Sequence, residues 1–152
     1  MAKSPPRRLW DSDVIISYLQ GADRARICEE ILDHANRDEL LIVVSMLTHA
    51  EVAKPNGTDR DEATIREFFS RRYVLSIAVD RRVTAEARRL VQTGFIRKPA
   101  DAIQAATALV YKIPVLETYN LEDFQRVRGH GDPALEVREP TWTGQGSLFT
   151  AG

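Results

Sequence analysis

Short apolar runs alternate with helix-period patterns along the chain. Leu9-Trp10 is a strand candidate closed by Asp11. Val14 to Leu19 has the spacing of a short helix, and Gly21 is placed to end it. Asp23 is read as the cap of a longer helix to about Asn36, with Ile27, Ile31 and Leu32 on one face. Leu40 to Val44 is continuous and β-branched, as a strand buried on both faces should be. Met46 to Ala53 reads as a helix stopped by Pro55-Asn56-Gly57, and Asp59 to Arg71 as another with Ile65, Phe68 and Phe69 inward. Tyr73 to Ile77 is the next strand, Thr84 to Gln92 the next helix. Pro99 fits a first helical position and opens a helix to about Tyr111. Val115-Leu116 and Leu135 to Arg138 are the last strands. This alternation predicts an α/β domain with a mainly parallel central sheet.

Composition narrows the picture. The chain has 152 residues, a length expected of one domain with its own core. Residues 1–140 are expected to form that domain and 141–152, rich in Gly and Thr, a flexible tail. At 43% hydrophobic and 28% charged, the chain is not of disordered composition. No apolar run approaches the ~18 residues of a membrane helix, and the basic N-terminus lacks the apolar stretch of a signal peptide. The single cysteine, Cys28, excludes an intramolecular disulfide and a multi-cysteine zinc site, and suits a reducing cytoplasm. The net charge of −1 argues against tight nucleic-acid binding over the whole surface, but a local basic patch would suffice for such a partner.

In open parallel sheets, function collects beyond the carboxyl ends of the strands. Asp11 follows the first strand there. Ser45 follows the second, with Glu51 on the next helix, and Asp101 is third in the Pro99 helix. Thr118, Asn120 and Asp123 follow Val115-Leu116. Each has an ordinary reading: Asp11 as a helix cap, Glu51 as a salt-bridge partner, Asp101 as a favourable charge on a helix dipole, Asn120 and Asp123 as turn formers. Their common position at one sheet edge is the informative part. Ala102, Ile103, Ala105 and Ala106 make a small apolar helix that would pack closely on the sheet and fix Asp101 near the strand ends. Carboxylates converging on one cleft cannot all stay ionised, and a divalent cation resolves the repulsion. Hard oxygen ligands without a Cys or His cluster select Mg²⁺ or Mn²⁺ over Zn²⁺. Such a site suits phosphodiester hydrolysis.

Four segments carry a resemblance: Asp11-Ser12-Asp13-Val14, Ser45 to Val52, Pro99 to Leu109, and Thr118-Tyr119-Asn120-Leu121-Glu122-Asp123-Phe124. In this order and spacing they resemble the PIN-domain ribonucleases, and within them the VapC-type toxins of toxin–antitoxin pairs. The resemblance covers roughly Leu9 to Phe124. It implies a three-layer α/β/α fold and a metal-dependent endoribonuclease acting on RNA. It also implies that Asp11, Glu51 and Asp101 form the acidic cluster and bind Mg²⁺ or Mn²⁺, with the Asn120/Asp123 region supplying a fourth polar group. Ser12 and Thr118 match the accompanying hydroxyls. A homodimer and a cognate antitoxin that blocks the site are further implications. Two departures stand out: Arg7-Arg8-Leu9-Trp10 replaces the usual apolar first strand, and Asn120 stands where many relatives have Asp, so that Asp123 is an alternative fourth ligand.

Other readings stay beside this one. Asp11-Ser12-Asp13-Val14 also fits the first motif of a haloacid-dehalogenase-like phosphatase, with Asp11 as nucleophile, although no Lys plus Asp-Asp pair follows. A non-catalytic binding module on the PIN fold is the third reading. Arg97 and Lys98, just before the Asp101 helix, are expected to contact substrate phosphates. The tail segment Gln145-Gly146-Ser147-Leu148-Phe149 resembles a bacterial sliding-clamp-binding peptide.

Overall fold

The computed structural model describes residues 4–142. Five strands form one sheet: β1 (Arg7–Trp10), β2 (Leu41–Ser45), β3 (Val74–Ile77), β4 (Val115–Glu117) and β5 (Glu136–Arg138). Their spatial order is β3-β2-β1-β4-β5 and every pairing is parallel. Seven helices connect them: α1 (Ser12–Gln20), α2 (Arg26–Asn36), α3 (Met46–Glu51), α4 (Asp59–Ser70), α5 (Arg81–Gln92), α6 (Pro99–Val110) and α7 (Leu121–Phe124).

The sheet is apolar on both faces, which its continuous apolar strands require. Trp10, Ile42 and Val44 pack with Val14, Ile31 and Phe68, under α1, α2 and α4. Leu9, Val43 and Leu116 point the other way, against Leu90 of α5 and Ala105 of α6. The alternation along β1 and β2 therefore assigns each side chain to one of two cores. The result is the expected three-layer α/β/α architecture.

Several boundaries differ from the sequence reading, each for a local reason. β1 reaches back to Arg7, because the buried Arg8 finds an ion-pair partner in Glu117. Asp23 opens a 3₁₀ turn over Asp23–Ala25, and α2 starts only at Arg26. α3 ends at Glu51 rather than Ala53. α5 begins three residues early, at Arg81, because the Asp80 side chain caps it by accepting from Val83 N–H. α7 was read as a turn. Gly21 does end α1, in the left-handed conformation that glycine adopts without strain.

β1 lies between β2 and β4, the chain adding β2 and β3 outward on one side and then β4 and β5 outward on the other. Its carboxyl end is thus the switch point where such sheets leave a crevice. Thr141 and Trp142, assigned to the tail by the sequence reading, are anchored. Thr141 O accepts from Arg8 Nη1 at 2.6 Å, and Trp142 stacks on His34 with ring centroids 3.6 Å apart. Residues 143–152, including the clamp-like peptide, lie outside the described residues. Among the described residues, no helix is long and apolar enough to cross a membrane.

Candidate active site

Asp11 leaves β1 as the N-cap of α1, its side chain accepting from Ser12 N–H at 2.8 Å. Its own N–H donates to Glu117 O at 3.1 Å, which ties the end of β1 to the end of β4. The residue just after that strand, Thr118, is fully buried and donates its hydroxyl to Asp11 Oδ2 at 2.9 Å. The helix cap foreseen for Asp11 is therefore real, and it coexists with burial at the switch point. Asp11 is only 5% exposed. Burial, followed by the negative charge of Asp13, pushes its carboxyl up to about 7 against the hydrogen bonds from Thr118 and Ser12; Asp101 adds to the rise.

Asp101 reaches the same edge from the other layer. Pro99 occupies the start of α6, and buried Ala102, Ala105 and Ala106 seat the helix in the core. Asp101 Oδ2 is buried with no hydrogen-bond partner among the described residues. Desolvation and then the neighbouring Asp123 push this carboxyl up to about 6, Lys98 opposing and Glu51 contributing. Asp123 behaves oppositely: the Asn120 amide donates to it at 2.6 Å, and this bond holds its carboxyl below the ordinary range despite some desolvation, with Lys98 helping at 3.7 Å.

Glu51 closes the cluster from the last turn of α3, half-buried. Gln104 Nε2 donates to Glu51 Oε1 at 3.2 Å and to Thr48 Oγ1 at 2.8 Å. Gln104 Oε1 is buried without a partner, like Asp101 Oδ2 one turn before it on α6. Two orphaned acceptor oxygens beside a set of carboxylates are costly unless a cation or a donor meets them. This chemistry fits a divalent cation with oxygen ligands. Among the described residues, no three carboxylate, imidazole or thiol groups are close enough to clasp one ion in the side-chain positions present.

Asp101 is thus coupled electrostatically to Asp11, Asp123 and Glu51, with Thr118 bonded to Asp11 and Asn120 to Asp123. Ser12 contributes its backbone N–H. Lys98 stands at the rim on Asp123, and Arg97 is exposed beside it. Sequence reasoning missed two participants. Asp13 accepts from Tyr119 N–H at 3.1 Å and from Thr118 Oγ1 at 3.3 Å, and burial raises its carboxyl too. The Asp-x-Asp spacing after a strand was the available signal. Gln104 was signalled by a polar side chain three residues after Asp101 in an otherwise small, apolar helix.

A pH dependence follows for the chelated protein. An acid whose folded pKa lies above its unfolded value stabilises the fold below the unfolded value, and this contribution is lost as pH rises through the folded value. For Asp11 the window runs from about pH 4 to about 7 and the loss is at most about 4 kcal/mol. Asp13 and Asp101 share the sign; His49, lowered by burial, has the opposite one. Urea unfolding with chelator should show stability falling from pH 5 to 8, with a flatter profile in Asp11→Asn. Parallel profiles for the two proteins would contradict the buried, crowded state of Asp11.

The PIN domain family matches residues 9–130, and the chain belongs to that family. The match leaves the phosphatase alternative without support. The fold is also similar to solved structures. One is a chain of VapBC2 from Rickettsia felis, bound to a DNA fragment from their promoter: TM-score 0.65 at 18% identity, over 88% of this chain and 98% of that one. VapBC-1 from nontypeable Haemophilus influenzae gives 0.62 at 21%, over 88% and 97%. A toxin–antitoxin complex from Klebsiella pneumoniae gives 0.59 at 23%, over 77% and 89%. No curated protein sequence matches the chain significantly.

Proposed function

We propose that this chain is a divalent-metal-dependent endoribonuclease, the toxin of a toxin–antitoxin pair. The observation that carries the reading is the orphaned Asp101 Oδ2 at the switch-point crevice, within an electrostatic cluster of Asp11, Glu51 and Asp123. These four acids would hold Mg²⁺ or Mn²⁺, Asn120 acting through its bond to Asp123. A cation bound there would acidify a water and offset charge on the scissile phosphate. Thr118 and Ser12 orient Asp11, and Gln104 orients Glu51. Lys98 and Arg97 supply positive charge at the rim, placed to meet a phosphate of the RNA strand.

The toxin role is supported by the likeness to chains from VapBC complexes. An open groove of about 650 Å³ between α1 and α4, lined by Ile16, Leu19, Val52, Pro55 and Ile65, suits an amphipathic segment of an antitoxin. It adjoins Glu51 through Val52, so a bound segment would lie close to the crevice. A second groove over α5 and α6, lined by Ala87, Val91, Pro99 and Ile103, suits a second copy of the chain. Mass measurement of the purified protein, alone and co-expressed with the neighbouring reading frame, would give a dimer and a hetero-complex. A monomer in both preparations would count against these two partners.

The direct test is cleavage of single-stranded and structured RNAs by the purified chain. Chelator should stop cleavage, and added Mg²⁺ or Mn²⁺ should restore it. RNA left intact under every metal condition would favour the non-catalytic binding module.

A further inference from the structure

Arg24, in the 3₁₀ turn between α1 and α2, is exposed yet rigidly held. Its Nε and Nη2 both donate to the Ser17 hydroxyl, at 3.2 and 3.0 Å. Its guanidinium lies 4.0 Å over the ring of Tyr119. The Tyr119 hydroxyl in turn donates to Arg24 O at 3.0 Å, and Cys28 Sγ lies 3.6 Å from that hydroxyl. The turn, the ring and the cation thus brace one another. Among the described residues, Arg24 makes no ion pair and its Nη1 has no partner. A cation restrained in this way, with a free donor and no ion pair, is placed to meet an incoming anion. Other arginines end on carboxylates, as Arg8 and Arg71 do, or on backbone carbonyls, as Arg126 and Arg128 do.

Its place in the fold gives it a use. Tyr119 follows Thr118 directly, and its N–H donates to Asp13, whose carboxyl feels the Arg24 charge. Arg24 therefore borders the acidic cluster from the α1–α2 layer. Lys98, on Asp123, borders it from the α6 layer. A polyanion crossing the crevice from one layer to the other passes the carboxylates with a cation at each end. Without those cations the carboxylates would repel it.

Resting on the nuclease reading above, we propose that Arg24, braced on Tyr119, binds a backbone phosphate of the RNA on the opposite side of the scissile bond from Lys98. Pre-organisation matters here, because a guanidinium already fixed loses little side-chain freedom on binding. Nη1 and the solvent-facing side of the group remain available to phosphate oxygens.

The test is equilibrium binding of a fluorescein-labelled single-stranded oligoribonucleotide of mixed sequence, with Ca²⁺ replacing Mg²⁺ to suppress cleavage, across a salt series. Arg24→Gln should weaken binding about tenfold at low salt and reduce the log–log salt slope by about 0.7. Arg24→Lys should restore the slope, because it keeps the charge. Arg66→Gln, an exposed arginine on α4, should change neither quantity. Melting temperatures identify any loss of binding that comes from unfolding, and the Lys variant keeps the comparison within folded protein. A wild-type slope and affinity in Arg24→Gln, with RNA bound normally by the wild type, would overturn this assignment alone. Failure of the wild type to bind RNA at all would overturn the nuclease reading, and this inference with it.

Discussion

Asp101→Asn should lower RNA cleavage by at least about a thousandfold, the equivalent of about 4 kcal/mol in the barrier, without unfolding the protein. The size follows from what the substitution removes. Asp101 presents a buried carboxylate oxygen that meets no donor among the described residues. An amide in its place has no negative charge with which to hold a cation, and can turn an N–H₂ toward the cation's position. Stability should move the other way. The carboxyl is pushed up to about 6 by desolvation and by Asp123, so at neutral pH its ionised form is disfavoured in the fold. Removing that charge should leave the metal-free protein at least as stable as the parent at pH 7.5. Cleavage assays and urea melts on one preparation check both directions. Cleavage within tenfold of the parent would defeat the metal-site reading. Loss of activity together with a collapse in stability would instead mark Asp101 as a structural residue of α6.

The parts of this site that were legible in the sequence share a physical origin. Asp11 and Asp101 stand next to signals that are local: a strand ending in an N-cap, and a proline opening a small, apolar helix. Such features are decided by a few neighbouring residues, and the structure keeps them where the pattern put them. The layer architecture was legible for a similar reason, since continuous apolar strands must be covered on both faces. What escaped depends on partners far apart in the chain. Arg8 makes β1 look like a poor strand until Glu117 is seen beside it. Gln104 is an unremarkable helix polar residue until Thr48 and Glu51 arrive at its amide. Asp13 looks like a first-turn helix acid, and only the return of β4 at Tyr119 makes it a member of the cluster. The 3₁₀ turn that replaces the start of the second helix belongs to the same class. Its Arg24 and Tyr119 are brought together by tertiary packing that no window of sequence contains.

The Arg8–Glu117 pair also supports the largest stability effect expected of a single substitution. Glu117 is fully buried and Arg8 is 1% exposed. Glu117 Oε2 accepts from Arg8 Nη1 at 3.1 Å and from Arg138 Nε at 3.0 Å, while Oε1 accepts from the Trp10 indole at 2.8 Å. Thr141 N–H is a fourth donor, to Oε2 at 3.3 Å. Glu117→Ala would remove the carboxylate that faces the buried Arg8 guanidinium, a loss of about 3–5 kcal/mol. That is a large part of the ~5–15 kcal/mol that holds a domain of this kind together. Burial already pulls the Arg8 pKa below its ordinary value, but an arginine is not relieved by deprotonation near neutral pH. The double variant Arg8→Met/Glu117→Leu should recover most of the loss, because a buried pair replaced by apolar groups of similar volume is often neutral. A remainder of about 1–3 kcal/mol should persist for the Trp10 indole, which loses its Glu117 acceptor. Trp10 and Trp142, the two tryptophans of the chain, both border this cluster, so intrinsic fluorescence in urea reports on it directly. Strong non-additivity in the double-mutant cycle is the expected result. A single-variant loss under about 1 kcal/mol, or additive behaviour, would mean that water reaches Arg8 and that the β1–β4 junction carrying Asp11 and Thr118 is held by the apolar layers alone.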